Sequence, residues 1–208
     1  MRRFMFVLCA LMVIYSTSKA ETRKMYFTYD LNEVECNDES TNGTIDNQLV
    51  SGLSVNHYKD TLIDLSLEFE MTHIKFQLNN NAKKTMKIQW DDMVLFIGGA
   101  SHPVFHSGVI LKERCDHKQP TNVMKGMPIT DVIIPCDMVN WSDALGRFLY
   151  NPLIWGESYD NSIVKLLFPI EINNQKYEYV FTFSAHCHKQ KVKINFVGDG
   201  MVEFIEVK

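Results

Sequence analysis

Hydrophobic and polar residues alternate with a period of two over long stretches of the chain, a pattern typical of β-strands with one buried face. The clearest stretch is residues 61–80, where apolar side chains occupy odd positions up to Met71 and even positions after it. A shift of one residue moves every side chain to the opposite face of a sheet. We therefore predict a bulge or bend near Thr72 and His73, or the passage of the strand to a sheet edge there.

Further alternating runs are separated by turn residues. Residues 79–83 predict a turn that joins the first run to a strand at 86–90, and Gly98-Gly99 and Asn173-Asn174 predict two more turns. The remaining predicted strands are 94–97, 102–111, 131–134, 163–172, 177–183, 191–197 and 201–207. Since no helical period lasts four turns, we predict an all-β fold, an antiparallel two-sheet sandwich.

Three segments lack this regularity. Residues 21–58 are predicted to be partly flexible, apart from a short strand at 25–29, and residues 112–127 predict a long loop. Residues 137–161 predict an ordered, irregular excursion because they hold aromatic residues among Gly, Pro, Asn and Asp. These aromatic residues form either a contact surface for carbohydrate or peptide, or the small core of the loop itself, which is the commoner case: Trp141, Phe148, Tyr150 and Trp155.

The first 20 residues have the features of a removable secretory signal. Two arginines follow the initial Met, an apolar run extends to Tyr15, and small residues precede position 21. That run is too short to cross a membrane, and no later run approaches the roughly 20 residues required. We therefore expect export to the periplasm or beyond the cell, without a transmembrane span. The expected organisation is a signal at 1–20, an N-terminal segment at 21–58 and one β-sandwich domain at 59–208.

The charge of the chain disfavours two classes of partner. The formal net charge is −4 at pH 7, and the predicted signal contains three basic residues but no acidic ones. The exported protein would therefore be more acidic still. Nucleic acids and anionic membrane surfaces are poor partners for such a protein, and a protein or glycan of the cell envelope is a better expectation.

Four cysteines follow the predicted signal, at positions 36, 115, 136 and 187. An even number in an exported chain suggests two disulfides. The favoured pairs are Cys115 with Cys136 and Cys36 with Cys187, and free buried thiols are the alternative. No pair has the CxxC spacing, which disfavours a structural zinc site or a thioredoxin-like redox centre.

Two histidines offer a candidate metal site. His186 and His188 flank Cys187 and would lie on the same face of a strand. Two imidazoles at this spacing can share a zinc or copper ion, but a third ligand must come from elsewhere. Candidates for it are His102, His106, Asp116 and His117. A solvated histidine pair is the commoner situation.

No catalytic motif is evident. A thiol nucleophile in Cys115-Asp116-His117 lacks the usual separation of catalytic partners in sequence, and His106-Ser107-Gly108 lacks the nucleophile elbow of serine hydrolases. The adjacent carboxylates of Asp91 and Asp92 would point to opposite faces of a strand. The leading hypothesis is therefore a non-enzymatic binding protein, followed by a metal-binding protein and then by a hydrolase of envelope polymers.

Several short motifs occur in a fixed order over roughly residues 60–185. In addition to Asn79-Asn80, Lys84 and Ile88, they are Trp90-Asp91-Asp92, His106-Ser107-Gly108-Val109, Gln119-Pro120-Thr121, Ile134-Pro135, Phe168-Pro169-Ile170 and Phe181-Thr182-Phe183. In these the chain resembles an uncharacterised family of bacterial exported proteins and lipoproteins. The resemblance implies an immunoglobulin-like β-sandwich in the bacterial envelope, with no established reaction and no catalytic residue. The chain departs from that family in lacking a lipid-anchor cysteine after the signal and in having four other cysteines.

Overall fold

The computed structural model describes three stretches of the chain, residues 22–38, 40–197 and 201–206. The predicted signal at 1–20 lies outside the described residues. The described residues divide into two compact units, one within residues 25–189 and one of residues 22–24, 190–197 and 201–206. Within the described stretches, no helix is long and apolar enough to cross a membrane.

The described residues contain strands and short 3-10 helices but no α-helix. The strands are β1 Thr22–Cys36, β2 Thr44–Val50, β3 Leu53–Lys59, β4 Ile63–Phe69, β5 Ile74–Asn80, β6 Met86–Ile88, β7 Val94–Ile97, β8 Ala100–Phe105, β9 Thr121–Val123, β10 Ile129–Pro135, β11 Val139–Ser142, β12 Arg147–Tyr150, β13 Ser162–Ile172, β14 Gln175–Val197 and β15 Met201–Glu206. The 3-10 helices are Trp90–Asp92, Leu111–Glu113, Cys136–Met138 and Glu157–Tyr159.

Ten strands follow one hydrogen-bonded order, β1-β14-β13-β7-β8-β10-β5-β4-β3-β2. Strands β6, β9 and β15 join the same sheet beside this order, and β11 and β12 form a separate two-stranded sheet. Strand β10 makes this order continuous, because its residues 129–133 pair with β5 and its residues 134–135 pair with β8. A strand that changes partners in this way carries one sheet into the next. The predicted all-β antiparallel class is therefore confirmed. The strands form one nearly closed, barrel-like sheet, and the immunoglobulin-like two-sheet sandwich is not confirmed.

The alternating run at 61–80 is a hairpin of two strands. Strand β4 pairs antiparallel with β5, from Ile63 opposite Asn80 to Phe69 opposite Ile74. The Glu70 N–H donates to the His73 carbonyl oxygen over 2.9 Å and closes the turn. The predicted bulge is therefore wrong, because the change of phase marks the reversal of the chain. The inward side chains of both strands lie in the core, where they are fully buried or nearly so.

The other predicted hairpins have different outcomes. Strand β6 does not pair with β5 but with β13 and β9, so the hairpin predicted around residues 79–83 is wrong. Strands β7 and β8 pair around Gly98-Gly99, and β13 pairs with β14 around Asn173-Asn174, as predicted. In the second unit β15 pairs antiparallel with the end of β14, from Val192 opposite Glu206 to Val197 opposite Met201.

The residues before position 60 form three strands where the sequence predicted one short strand. On the buried face of β3, the Ser54 Oγ accepts the Tyr29 N–H over 2.6 Å and the Asn56 Oδ1 accepts the Leu31 N–H over 3.0 Å. The Asn47 side chain on β2 accepts the Leu31 N–H with Oδ1 over 3.3 Å and donates to the Leu31 carbonyl oxygen with Nδ2 over 3.0 Å. Buried backbone N–H groups need acceptors. Polar side chains of β2 and β3 supply them to β1, so the two ends of the strand order meet through side chains.

Substitution of Asn56 tests this junction. Asn56→Ala removes the closer of the two acceptors of the Leu31 N–H and leaves the Asn47 Oδ1 at 3.3 Å. We expect it to lower the free energy of unfolding by about 1 kcal/mol. Chemical denaturation measures this change, and amide exchange at Leu31 should become faster. Asn32→Ala, which removes an exposed side-chain hydrogen bond to Ser184, is the control and should change stability little. Equal effects of the two substitutions would contradict the role of Asn56.

Candidate functional sites

The four cysteines at positions 36, 115, 136 and 187 are free thiols in the structure. Cys36 ends β1, and the next residue, Asn37, accepts the Glu178 N–H on β14 over 3.0 Å. Cys187 lies nine residues farther along β14, which is about 30 Å of extended chain. A disulfide requires Cα atoms within about 7 Å. The predicted bond between Cys36 and Cys187 is therefore wrong.

The second predicted cysteine pair is adjacent in space but not bonded. Burial, together with a hydrogen bond with Cys115, raises the pKa of Cys136 to about 12. Its thiol therefore stays protonated at neutral pH, and protonated thiols are poor nucleophiles. The sequence correctly predicted the proximity of Cys115 and Cys136, but the predicted disulfide is absent.

His186 and His188 both face β1. The Nε2 atom of His186 lies 3.4 Å from the Asp30 Oδ2, and the Nε2 atom of His188 hydrogen-bonds with the Thr28 Oγ1 over 2.8 Å. The His188 ring also stacks on Tyr26, with a centroid distance of 5.0 Å. Among the described residues, no three His, Cys, Asp or Glu side chains form a group suited to a metal ion. Zinc or copper at His186 and His188 stays a prediction.

The excursion at 137–161 contains an ordered hairpin, residues 139–150, which we call the aromatic hairpin. Strand β11 pairs with β12 so that Val139 lies opposite Tyr150 and Trp141 opposite Phe148. Residues directly opposite each other share a face of the hairpin. Val139 is buried in a small apolar cluster, and Phe148 packs against that cluster. The Trp141 ring meets Phe148 edge to face, with centroids 5.1 Å apart.

Arg114 holds the aromatic hairpin in place through its guanidinium group. Its Nη2 donates to the Val139 carbonyl oxygen over 2.6 Å, and its Nε donates to the Cys136 carbonyl oxygen over 2.8 Å. The guanidinium carbon lies 5.5 Å from the centroid of the Phe148 ring, in a cation–π contact. No pattern around Arg114 indicated this role, because the residue occurs in a polar loop without a period.

Three of the four predicted contact residues are exposed. Trp141 is 53% exposed, Tyr150 is 40% exposed and Trp155 is 67% exposed. Beyond the hairpin, the Leu153 N–H donates to the Met71 carbonyl oxygen over 2.8 Å, which ties this segment to the β4–β5 turn. Phe148, by contrast, belongs to the internal packing. The segment therefore combines a small core of its own with exposed aromatic side chains, and the contact surface stays a prediction.

Removal of Arg114 should loosen the aromatic hairpin. Arg114→Met leaves carbonyl oxygens without their charged donor, so we expect stability to fall by about 2–3 kcal/mol. Amide exchange in residues 139–150 should increase more than elsewhere. Arg147→Met, an exposed change on the same hairpin, serves as the control. Unchanged exchange in the Arg114 variant would show that packing alone holds the hairpin.

A second candidate site is a cleft of about 490 Å³ whose lining includes His106 and His117. Trp90 begins the 3-10 helix beside it, stacks on His106 at 4.3 Å between centroids, and donates its Nε1–H to the Thr121 Oγ1 over 2.8 Å. The next residue, Asp91, accepts the Lys118 N–H with Oδ1 over 2.9 Å. Its Oδ2 contacts the Nδ1 of His117.

A second aspartate lies beside the other histidine of the cleft. The Oδ1 of Asp131 accepts the Ser107 and Val132 N–H groups over 2.9 and 2.8 Å. Its Oδ2 lies 3.4 Å from the Nδ1 of His106. Each of the two carboxylates is thus fixed by backbone N–H groups through one oxygen and faces a histidine with the other. In each ring the Nε2 is the nitrogen that does not face the carboxylate.

The structure brings some of the predicted site residues together at the cleft and places others elsewhere. Asp91, His106 and His117 come together, with Asp116 also in the lining. Asp92 instead forms an ion pair with Lys176 at 3.1 Å, so the two adjacent carboxylates diverge, as predicted. His102 pairs with Asp137 at 2.8 Å. Sequence reasoning missed Asp131, which is 25 residues from its partner histidine.

Comparison with protein-family models, with curated proteins and with solved structures finds no match to this chain. The resemblance to a family of exported proteins therefore stays a prediction. The function must be inferred from the geometry of these two sites.

Proposed function

We propose that the protein is an exported, non-enzymatic binding protein of the cell envelope that contacts a macromolecular partner through the aromatic hairpin and Trp155. The observation that supports this proposal is the exposure of two tryptophans and a tyrosine on a segment held in place by Arg114 and Phe148. Trp and Tyr dominate the binding energy of many protein interfaces. A rigid segment loses little conformational entropy when it binds.

The setting of this function belongs to the same proposal. Export follows from the predicted signal at 1–20, and an immunoglobulin-like relationship to exported bacterial proteins would place the chain in the periplasm or outside the cell. The negative net charge favours a protein or glycan partner over nucleic acid. Exposed tryptophan rings suit both classes, because they pack on apolar side chains and on sugar rings.

Comparative capture from the native envelope tests the aromatic surface. The purified protein and its Trp141→Ala/Trp155→Ala variant serve as baits, and each substitution at an interface hot spot typically costs about 2 kcal/mol, or roughly 30-fold in affinity. We expect the variant to lose partners that the unsubstituted protein retains. Phe96→Ala/Ile163→Ala removes two exposed apolar side chains from other strands and should retain those partners. An identical set of partners on all three baits would refute this surface.

A second candidate function is hydrolysis of an envelope polymer in the His106–His117 cleft. The observation that favours it is the presence of two Asp–His pairs in one cleft. The Asp91 carboxylate contacts the Nδ1 of His117 and so orients its Nε2 for proton transfer. The Nδ1 of His106 lies 3.4 Å from the Asp131 Oδ2 and has no hydrogen-bond partner among the described residues. One histidine would act as a base and the other as an acid toward a substrate between them.

Turnover of envelope glycans and peptides tests the cleft. His106→Gln and His117→Gln should each lower the hydrolysis rate at least 100-fold, since a positioned acid or base contributes about 10²–10⁴-fold. His57→Gln is the matched control, because His57 also contacts an aspartate, Asp64, at 2.7 Å but lies on β3 away from the cleft. Equal rates for all three variants, or no turnover by the unsubstituted protein, would remove this candidate.

A further inference from the structure

Strand β2 is an open edge. It is the last strand of the order and pairs with β3 along residues 44–50. In the described part of the chain no other strand pairs with it, and all seven of its residues are exposed. At the opposite end of the order, side chains of β2 and β3 accept the N–H groups of β1. Among the described residues, no strand covers the outer backbone groups of β2.

The sequence of β2 also lacks the usual protection of an edge. Natural edge strands are commonly short or carry lysine, proline or a bulge, which prevents pairing with another chain. Strand β2, Thr-Ile-Asp-Asn-Gln-Leu-Val, contains neither lysine nor proline, and it pairs with β3 over all seven residues without a bulge. Ile45, Leu49 and Val50 are exposed apolar residues on it. An exposed edge with these properties is suited to the addition of another strand.

The order of residues in β2 is self-complementary about Asn47. In an antiparallel pair of two copies centred on Asn47, the apolar Ile45 and Leu49 face each other, and Asp46 faces Gln48. Thr44 faces Val50, which has nearly the same shape. Each of these contacts occurs twice, as a two-fold symmetric interface requires. Within one chain the Gln48 Nε2 already donates to the Asp46 Oδ2 over 2.7 Å, and the same two groups can bond between chains.

We propose that two copies of this chain associate through antiparallel pairing of β2, with Asn47 on the two-fold axis. Seven residues from each copy is well below the 20–30 residues a side of stable interfaces. The dimer is therefore weak, with a dissociation constant on the order of 10–100 µM. This interface uses a surface different from the aromatic hairpin and from the cleft, so it does not depend on either proposed function.

Sedimentation velocity from 1 to 300 µM tests the dimer, with two paired variants that report its register. In Asp46→Lys/Gln48→Lys the introduced lysines face each other across the axis, so we expect a monomer. In Asp46→Lys/Gln48→Glu each lysine faces a glutamate of the other copy, so dimerisation should return to within about threefold of the unsubstituted protein. Circular dichroism confirms that each variant is folded. Amide exchange in β2 should slow as the concentration rises.

The charge control is Glu68→Lys/Gln77→Lys on the outer face of β4 and β5, which changes the net charge as much as the double lysine variant does. It should dimerise like the unsubstituted protein. A monomer at all concentrations would overturn the proposal, even if an unrelated extended peptide were found to bind β2. A dimer that survives the double lysine substitution would overturn it as well. Failure of the lysine–glutamate variant to recover would overturn the register centred on Asn47.

Discussion

The structure depends on how the backbone of β1 is satisfied where no strand pairs with it. The N–H groups of Tyr29 and Leu31 face the buried side of β3, and a buried N–H without an acceptor costs about 1–3 kcal/mol. Ser54 and Asn56 supply the acceptors at inward positions where an apolar residue would ordinarily pack. This arrangement closes the sheet at β1 and leaves the outer edge of β2 open, so one constraint sets both the core and the proposed dimer surface.

The sequence predicted those strands in which apolar and polar residues alternate because one face of the strand is buried. In β13 and β14 one face is buried along the paired length, so apolar residues recur at every second position and the Asn173-Asn174 turn is plain. The same signal was ambiguous at residues 70–73, because a change of phase marks either a bulge or a reversal, and these residues include no Gly, Pro or Asn. The alternation of apolar and polar residues did not predict β2 and β3, because β2 is exposed throughout and the inward positions of β3 include Ser54 and Asn56.

The sequence predicted individual residues of the candidate sites but not which of these residues contact each other. Aromatic residues among turn formers correctly indicated an ordered excursion, since a long segment needs buried surface to stay ordered. The sequence could not distinguish Phe148, which packs inside, from Trp141, which is exposed. The two residues lie opposite each other on one face of the hairpin, and only the contacts of Phe148 with the small apolar cluster and with Arg114 separate them. The sequence could not predict the Asp–His pairs either. Their partners are 25 and 26 residues apart, and only the antiparallel pairing and the 3-10 helix at Trp90 bring them together.

The two candidate sites share one short segment of chain, residues 111–118. At one point Arg114 donates to carbonyl oxygens of the aromatic hairpin, and at the other the Lys118 N–H is held by Asp91 while His117 contacts the same carboxylate. Residues 111–118 therefore contribute to both sites. The hairpin depends on the Arg114 guanidinium, and the position of His117 at the cleft depends on the contacts of Asp91 with Lys118 and His117.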